Sequence, residues 1–192
     1  VCISFAFPFY KENLQSTIEK GDNKPMIKSE EMQNICRSMA VTDRVSTMLI
    51  CFHGKKEGNL YGEILNCYID GPVWFSDIGD LMLKLDEICD WVGTPQPSTN
   101  PRFLNKKMSE EYAHRTKGKN KIPVKAKIQL QDSLTLSTRA VHAKETLIVK
   151  IEHRQNASLQ GIVAGRLTSR NYVAFRSALE LMRMLKEIAV RT

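Results

Sequence analysis

Between residues 101 and 130 the chain carries nine cations: Arg102, Lys106, Lys107, Arg115, Lys117, Lys119, Lys121, Lys125 and Lys127. Only Glu110 and Glu111 oppose them, so this stretch accounts for the whole formal net charge of +7 and leaves 19 basic and 19 acidic residues elsewhere. Lysine and arginine at this density neutralise phosphates, and Phe103 and Tyr112, interleaved with them, present rings on which bases stack. The same composition also describes a solvated basic linker between folded units, or a surface for an acidic protein or membrane. Lys106, Lys107, Arg115, Lys117, Lys119, Lys121, Lys125 and Lys127 are the candidate nucleic-acid contacts, through phosphates and without sequence readout.

A second candidate is the turn Asn156-Ala-Ser158-Leu-Gln-Gly161. It resembles the Asn/Asp-x-Ser-x-x-Gly half of the cyclic-di-GMP-binding PilZ signature. The resemblance implies a polar turn set against guanine and phosphate, with Arg154, Asn156, Ser158 and Gly161 as contacts. PilZ proteins pair this motif with an upstream Arg-x-x-x-Arg, and neither Arg139 nor Arg154 has an arginine four positions away on the required side. A hairpin turn using Asn, Ser and Gly for their backbone tolerance explains the same residues.

Other groups offer less. Cys51 and His53 alternate onto one strand face and Cys67 lies on the next strand, but a fourth metal ligand is lacking, and buried cysteine as a small hydrophobe accounts for the pattern. Asp77, Asp80 and Asp86 lie off an apolar helical stripe, where acids are ordinarily solvated. No phosphate-binding loop, nucleophile elbow or zinc-protease helix motif occurs, so the sequence points to binding rather than catalysis and calls for no metal or cofactor. Five cysteines without a Cys-x-x-Cys pair argue against a disulfide framework or zinc ribbon and fit a reducing cytoplasm. No segment approaches the roughly 20 apolar residues of a bilayer span. The opening Val1-Cys-Ile-Ser-Phe-Ala-Phe-Pro-Phe9 is short and lacks a basic leader, and is expected to be a packed terminal strand rather than a signal remnant.

The elements that carry these residues form a repeat. From Ser46 the apolar period becomes two, giving strands over 48–53 and 60–69, a turn at Asp70-Gly-Pro72, a short strand over 73–75, and a helix over 77–90 capped by Ser76 and stopped at Gly93. The order recurs with strands over 147–153 and 159–167, a short strand over 172–175, and a helix whose start, Ser177-Ala-Leu-Glu180, is a capping-box pattern. At a shift of 100, residues 75–88 match 175–188 at Phe, Leu, Met, Leu, Glu and Ile without a gap. Leu60-Tyr-Gly62 matches Leu159-Gln-Gly161 at a shift of 99, and His53 matches His153 at 100.

His153-Arg-Gln-Asn-Ala-Ser-Leu-Gln-Gly161 and Phe175-Arg-Ser-Ala-Leu-Glu-Leu181 resemble a group of small proteins of Gram-positive gut anaerobes that carry an Arg-Gln-Asn/His-x-Ser-Trp-Gln-Gly turn and a Phe-Arg-Ser-x-Leu-Glu-Leu helix start. This chain has Leu159 where that group has Trp. Leu60-Tyr-Gly62, Pro95-Gln-Pro97 and Arg102-Phe103 look like a second set of short proteins from the same organisms. The two resemblances cover about half the chain, imply a fusion of related units, and bring no activity with them.

The expected architecture is therefore α+β: two diverged β-β-β-helix units, 46–93 and 145–192, packed with pseudo-two-fold symmetry as one sheet or two facing sheets, the helices covering one side. The acidic helix over 77–90 and the basic helix over 176–191 suit side-by-side packing. Residues 1–45 form an N-terminal arm whose Ser29-capped helix sets Met32, Ile35, Cys36 and Met39 on one face, and 94–144 form the basic connector. The leading functional expectation is a cytoplasmic, non-catalytic binding or regulatory protein that contacts nucleic-acid phosphates through the connector. The competing one is a protein-interaction or structural module, and a cyclic-dinucleotide sensor stands third.

Overall fold

The computed structural model describes residues 45–117, 139–169 and 171–191. Apart from Val45, the predicted N-terminal arm lies outside them. In chain order the elements are strands β1 (Thr47–Lys56), β2 (Asn59–Leu65) and β3 (Val73–Phe75), helices α1 (Ile78–Val92) and α2 (Lys106–Lys117), strands β4 (Glu145–His153), β5 (Gln160–Gly165) and β6 (Val173–Phe175), and helix α3 (Ala178–Arg191). All six strands join one antiparallel sheet in the order β3-β2-β1-β4-β5-β6, so the chain is α+β. Of the two packings left open by the sequence, a single sheet is found, with β1 and β4 paired at its centre from Thr47 opposite Lys150 to Phe52 opposite Glu145.

Alternation along the strands sends Met48, Ile50, Phe52, Val149 and Ile151 to the face covered by α1 and α3, where Leu81, Leu85, Leu181 and Ile188 close the main core. Leu81, Leu85 and Ile88 are fully buried, each worth roughly 1.5–3 kcal/mol relative to exposure. The opposite face carries a smaller cluster of Leu49, Cys51, Leu65, Cys67 and Ile148, covered by Ala140 and Ala143. Among the described residues no helix is long and apolar enough to cross a membrane.

Two glycines are required by close approach. Gly62 lies between Phe52 on β1 and Phe75 on β3, and a Cβ there would stand 2.0 Å from the Cys51 carbonyl oxygen and 2.8 Å from the Phe75 ring. Phe75 crosses the space a side chain would fill and meets Phe52 edge-on, ring centroids 5.6 Å apart. Gly161 lies between Ile151 and Phe175 in the same manner, with its Cβ position 2.0 Å from the Lys150 carbonyl oxygen. Each glycine pairs with the residue just before a β-bulge, where one strand gains a residue over its partner. The bulged residues are His53 and Glu152, while His153 is back in register opposite Gln160, so the two histidines matched in the sequence do not hold the same position relative to the bulge.

Several predicted boundaries move for local reasons. β1 runs through Lys56 because the hairpin closes in two residues, Glu57 and Gly58, both at positive φ (53° and 83°), the conformation that matches strand twist. β2 stops at Leu65, where the buried Asn66 side chain donates to the carbonyls of Val45 and Thr47. The cap of α1 is Asp77 rather than Ser76: its carboxylate accepts from Asp80 N–H at 2.8 Å, while Asp80 accepts from Ser76 N–H at 3.0 Å. α3 repeats this with Ser177 accepting from Glu180 N–H and Glu180 accepting from Arg176 N–H. Gly93 ends α1 at φ 77°, as its position implied. The connector holds structure that its polar composition concealed, namely α2 and a helical turn over 139–142.

Candidate functional site

The described part of the basic segment contains α2. This helix stands on the end of α1 by one face: the Tyr112 hydroxyl donates to Asp90 at 2.7 Å, and Phe103 packs on the Tyr112 ring at 5.1 Å. Burial and the Asp90 hydrogen bond push the Tyr112 phenol up to about 12, so it remains a donor at neutral pH. Lys106 and Lys107 point outward, 90% and 84% exposed, with Glu110 and Glu111 one turn on at 3.6 and 3.9 Å. Ion pairs this exposed hold their lysines weakly and leave them available to a phosphate. Arg115 and Lys117 belong to the last turn of α2. Lys119, Lys121, Lys125 and Lys127 lie outside the described residues.

The turn between β4 and β5 is engaged within the protein. Arg154 is 4% exposed and binds Asp86 at 2.8 Å, Asp90 at 2.7 Å and the Pro95 carbonyl at 3.3 Å. Burial alone would lower its pKa, but Asp90 and Asp86 outweigh that and raise it. The Arg154 carbonyl accepts from Ser98 N–H, which ties the start of the connector to the turn. Asn156 and Ala157 supply positive φ, the Ser158 hydroxyl accepts from Ala178 N–H in the first turn of α3, and Gly161 is pressed against β4. Of the four cyclic-dinucleotide candidates, Arg154 and Ser158 thus work as clamp and cap and Gly161 as a backbone contact. A cleft of about 310 Å³ beside the turn is lined by Ser46, Thr94, Pro95 and residues 150–153, with Lys150 and Glu152 paired at 3.4 Å.

A third cluster occupies the sheet face away from α1 and α3. Glu63, at the centre of β2, is 2% exposed and takes Arg139 Nη1 at 2.8 Å. His53 Nε2 approaches the other Glu63 oxygen at 3.5 Å, outside hydrogen-bond geometry, and has no hydrogen-bond partner. The His53 ring lies between Trp74 at 5.6 Å and Tyr61 at 6.2 Å. Beneath, Cys51 is fully buried, and burial together with the Glu63 charge pushes its thiol up to about 12.

Comparison with protein-family models, with curated proteins and with solved structures gives no match. The chemistry of each cluster is therefore read from its own groups. The Cys51 and Cys89 thiols, both held up to about 12 chiefly by burial, are not nucleophiles at neutral pH. Cys51 and Cys67 do share the face read from the sequence, but within an apolar cluster. Sequence reasoning missed Glu63 and Trp74. The available signal was a lone acid inside the β-rich run Leu60-Tyr-Gly-Glu-Ile-Leu65, since an acid at a buried strand position needs a cationic partner.

Proposed function

We propose that this chain is a non-catalytic binding protein whose basic connector contacts nucleic-acid phosphates. The observation that carries this reading is α2: the connector carries a helix fixed to the folded body by Tyr112 and Asp90, with Lys106 and Lys107 turned outward at 90% and 84% exposure. A fixed base with projecting cations positions charge along a phosphate backbone and carries no base readout. The cysteine chemistry supports binding over catalysis, and the three cysteines of the folded body, none in a disulfide, suit a reducing, cytoplasmic setting.

The platform behind the connector is, in this proposal, a fusion of two diverged β-β-β-helix units related by a pseudo-two-fold axis between β1 and β4. The pairing of each glycine with a phenylalanine on the edge strand, the matching bulges and the two reciprocal helix caps support it. The protein-interaction reading has less to stand on, because each edge strand offers only three residues for pairing. The cyclic-dinucleotide reading meets a turn whose arginine and serine are already engaged.

The test is binding of a labelled oligonucleotide to the full chain and to a variant in which Lys106, Lys107, Lys117, Lys119 and Lys121 are each changed to Glu. Loss of binding in the variant, with unchanged thermal unfolding, supports the reading; equal binding by both contradicts it.

A further inference from the structure

Trp74 is the middle residue of edge strand β3. Its neighbours Val73 and Phe75 are buried toward the helices, so Trp74 projects from the other face, where it is 56% exposed. The side chain is backed by protein: its indole packs on His53, His53 packs on Tyr61, and the imidazole sits against a Glu63 anchored by Arg139. A large ring held in place yet open to solvent is what base stacking uses, because little rotamer freedom remains to be lost.

The charge around it fits the same ligand. Lys56 is exposed on the β1–β2 hairpin opposite Asn59, on the same face as Tyr61, whereas Lys55 pairs with the core residue Leu60 and faces the other way. The Lys144 amine lies over Gly54, 3.1 Å from where a Cβ would stand. Arg139 keeps 40% of its side chain in solvent while binding Glu63. Against these stand the exposed Glu57 and the already paired Glu63. Arg139 and Lys144 are also the end of the connector, so the segment proposed to hold phosphates returns to the chain beside this ring.

We infer that the face of β1, β2 and β3 turned away from α1 and α3 is, at its Trp74 edge, a stacking platform for single-stranded nucleic acid, with Trp74 taking a base and Lys56 and Lys144 taking flanking phosphates. The inference rests on the nucleic-acid reading of the connector and names the form of its ligand, since duplex bases are not free to stack on a side chain.

The experiment uses the full chain carrying Trp91→Phe, so that Trp74 is the only tryptophan, with oligothymidine or oligouridine of about 20 nucleotides and a duplex of equal length, a span that covers one or two binding folds. Single strands should quench Trp74 fluorescence saturably. In the chain with Trp91 intact, Trp74→Ala should weaken single-strand affinity by about tenfold or more while Trp74→Phe retains most of it, from the usual value of one stacked base. The salt dependence should be the same in all three, because no cation has been removed. Thermal unfolding identifies any variant that has lost its fold, and the quenching measurement stands without the alanine variant. Binding without quenching and with equal affinity in Trp74→Ala overturns the platform, while the charge-reversed connector variant reports separately on the connector. Quenching that survives the connector variant keeps the platform and overturns the connector. Preference for duplex overturns the platform, and no binding of any oligonucleotide at low salt overturns both and leaves the face to a protein partner.

Discussion

Replacing Arg154 with alanine should destabilise the fold by about 3 kcal/mol. Breaking a buried ion pair by removing one partner costs roughly 3–5 kcal/mol because an uncompensated charge remains. Two carboxylates lose their cation here, and they are not equal. Asp90 is 10% exposed and would keep only the Tyr112 hydrogen bond, so it carries most of the loss. Asp86 is 42% exposed and can be rehydrated, which limits its share to the range of about 1 kcal/mol or less seen for surface pairs. Urea unfolding followed by tryptophan fluorescence is the assay, with Trp91 beside Asp90 in α1 as reporter, and the midpoint should fall without a change in slope. Arg154→Lys should recover only part of the loss, because one ammonium cannot serve both carboxylates as the guanidinium does. Combining Arg154→Ala with Asp90→Asn should cost less than the sum of the two single changes, since the stranded charge is gone. A cost below about 1 kcal/mol for Arg154→Ala, within the range of exposed pairs, would refute the clamp.

Further outcomes follow from the same geometry. Gly62→Ala should cost about 3 kcal/mol or prevent folding, because its Cβ would overlap the Cys51 carbonyl at 2.0 Å. Gly58→Ala, with open space but φ 83°, should cost only about 1–2 kcal/mol by the same denaturation assay. The pKa of Asp86 is raised above 3.8, chiefly by burial and against the pull of Arg154, so the folded state holds that proton more tightly than the unfolded one. Stability from this group is present at low pH and is lost as pH rises from about 4 through the folded value, and Asp86→Asn should flatten that part of a stability–pH profile. Cys51 and Cys89, with thiols near 12 in the fold against 9.0 in the free chain, should resist iodoacetamide at pH 8 until the protein is unfolded, as read by peptide mass spectrometry. Their protonated forms also predict stability falling with rising pH between 9 and 12.

What could be read in advance depended on the range of the interaction. Period-two apolar runs marked β1, β2, β4 and β5, and the 3.6-residue stripe of Leu81, Leu85 and Ile88 marked α1, because these patterns are local. The Gly62 and Gly161 positions were visible as residues, but their reason was not, since it lies in the backbone of a bulged neighbouring strand and, at Gly62, in the Phe75 ring on the other side. Ser76 and Asp77 both suit a helix cap, and only backbone geometry decides between them. α2 escaped notice because Lys106–Lys117 buries one narrow face, through Tyr112 and Ala113, rather than a broad apolar stripe. Glu63 with Arg139, and Arg154 with Asp86 and Asp90, join residues more than 60 positions apart, where spacing carries no information.

The salt dependence of oligonucleotide binding bears on the proposed function most plainly. If the connector engages about six phosphates of a single strand, log K should fall with log salt at a slope near −4, and the Lys117, Lys119, Lys121 charge reversal should flatten it by about 2. A slope near zero, or no binding at low salt, would contradict a phosphate-binding connector.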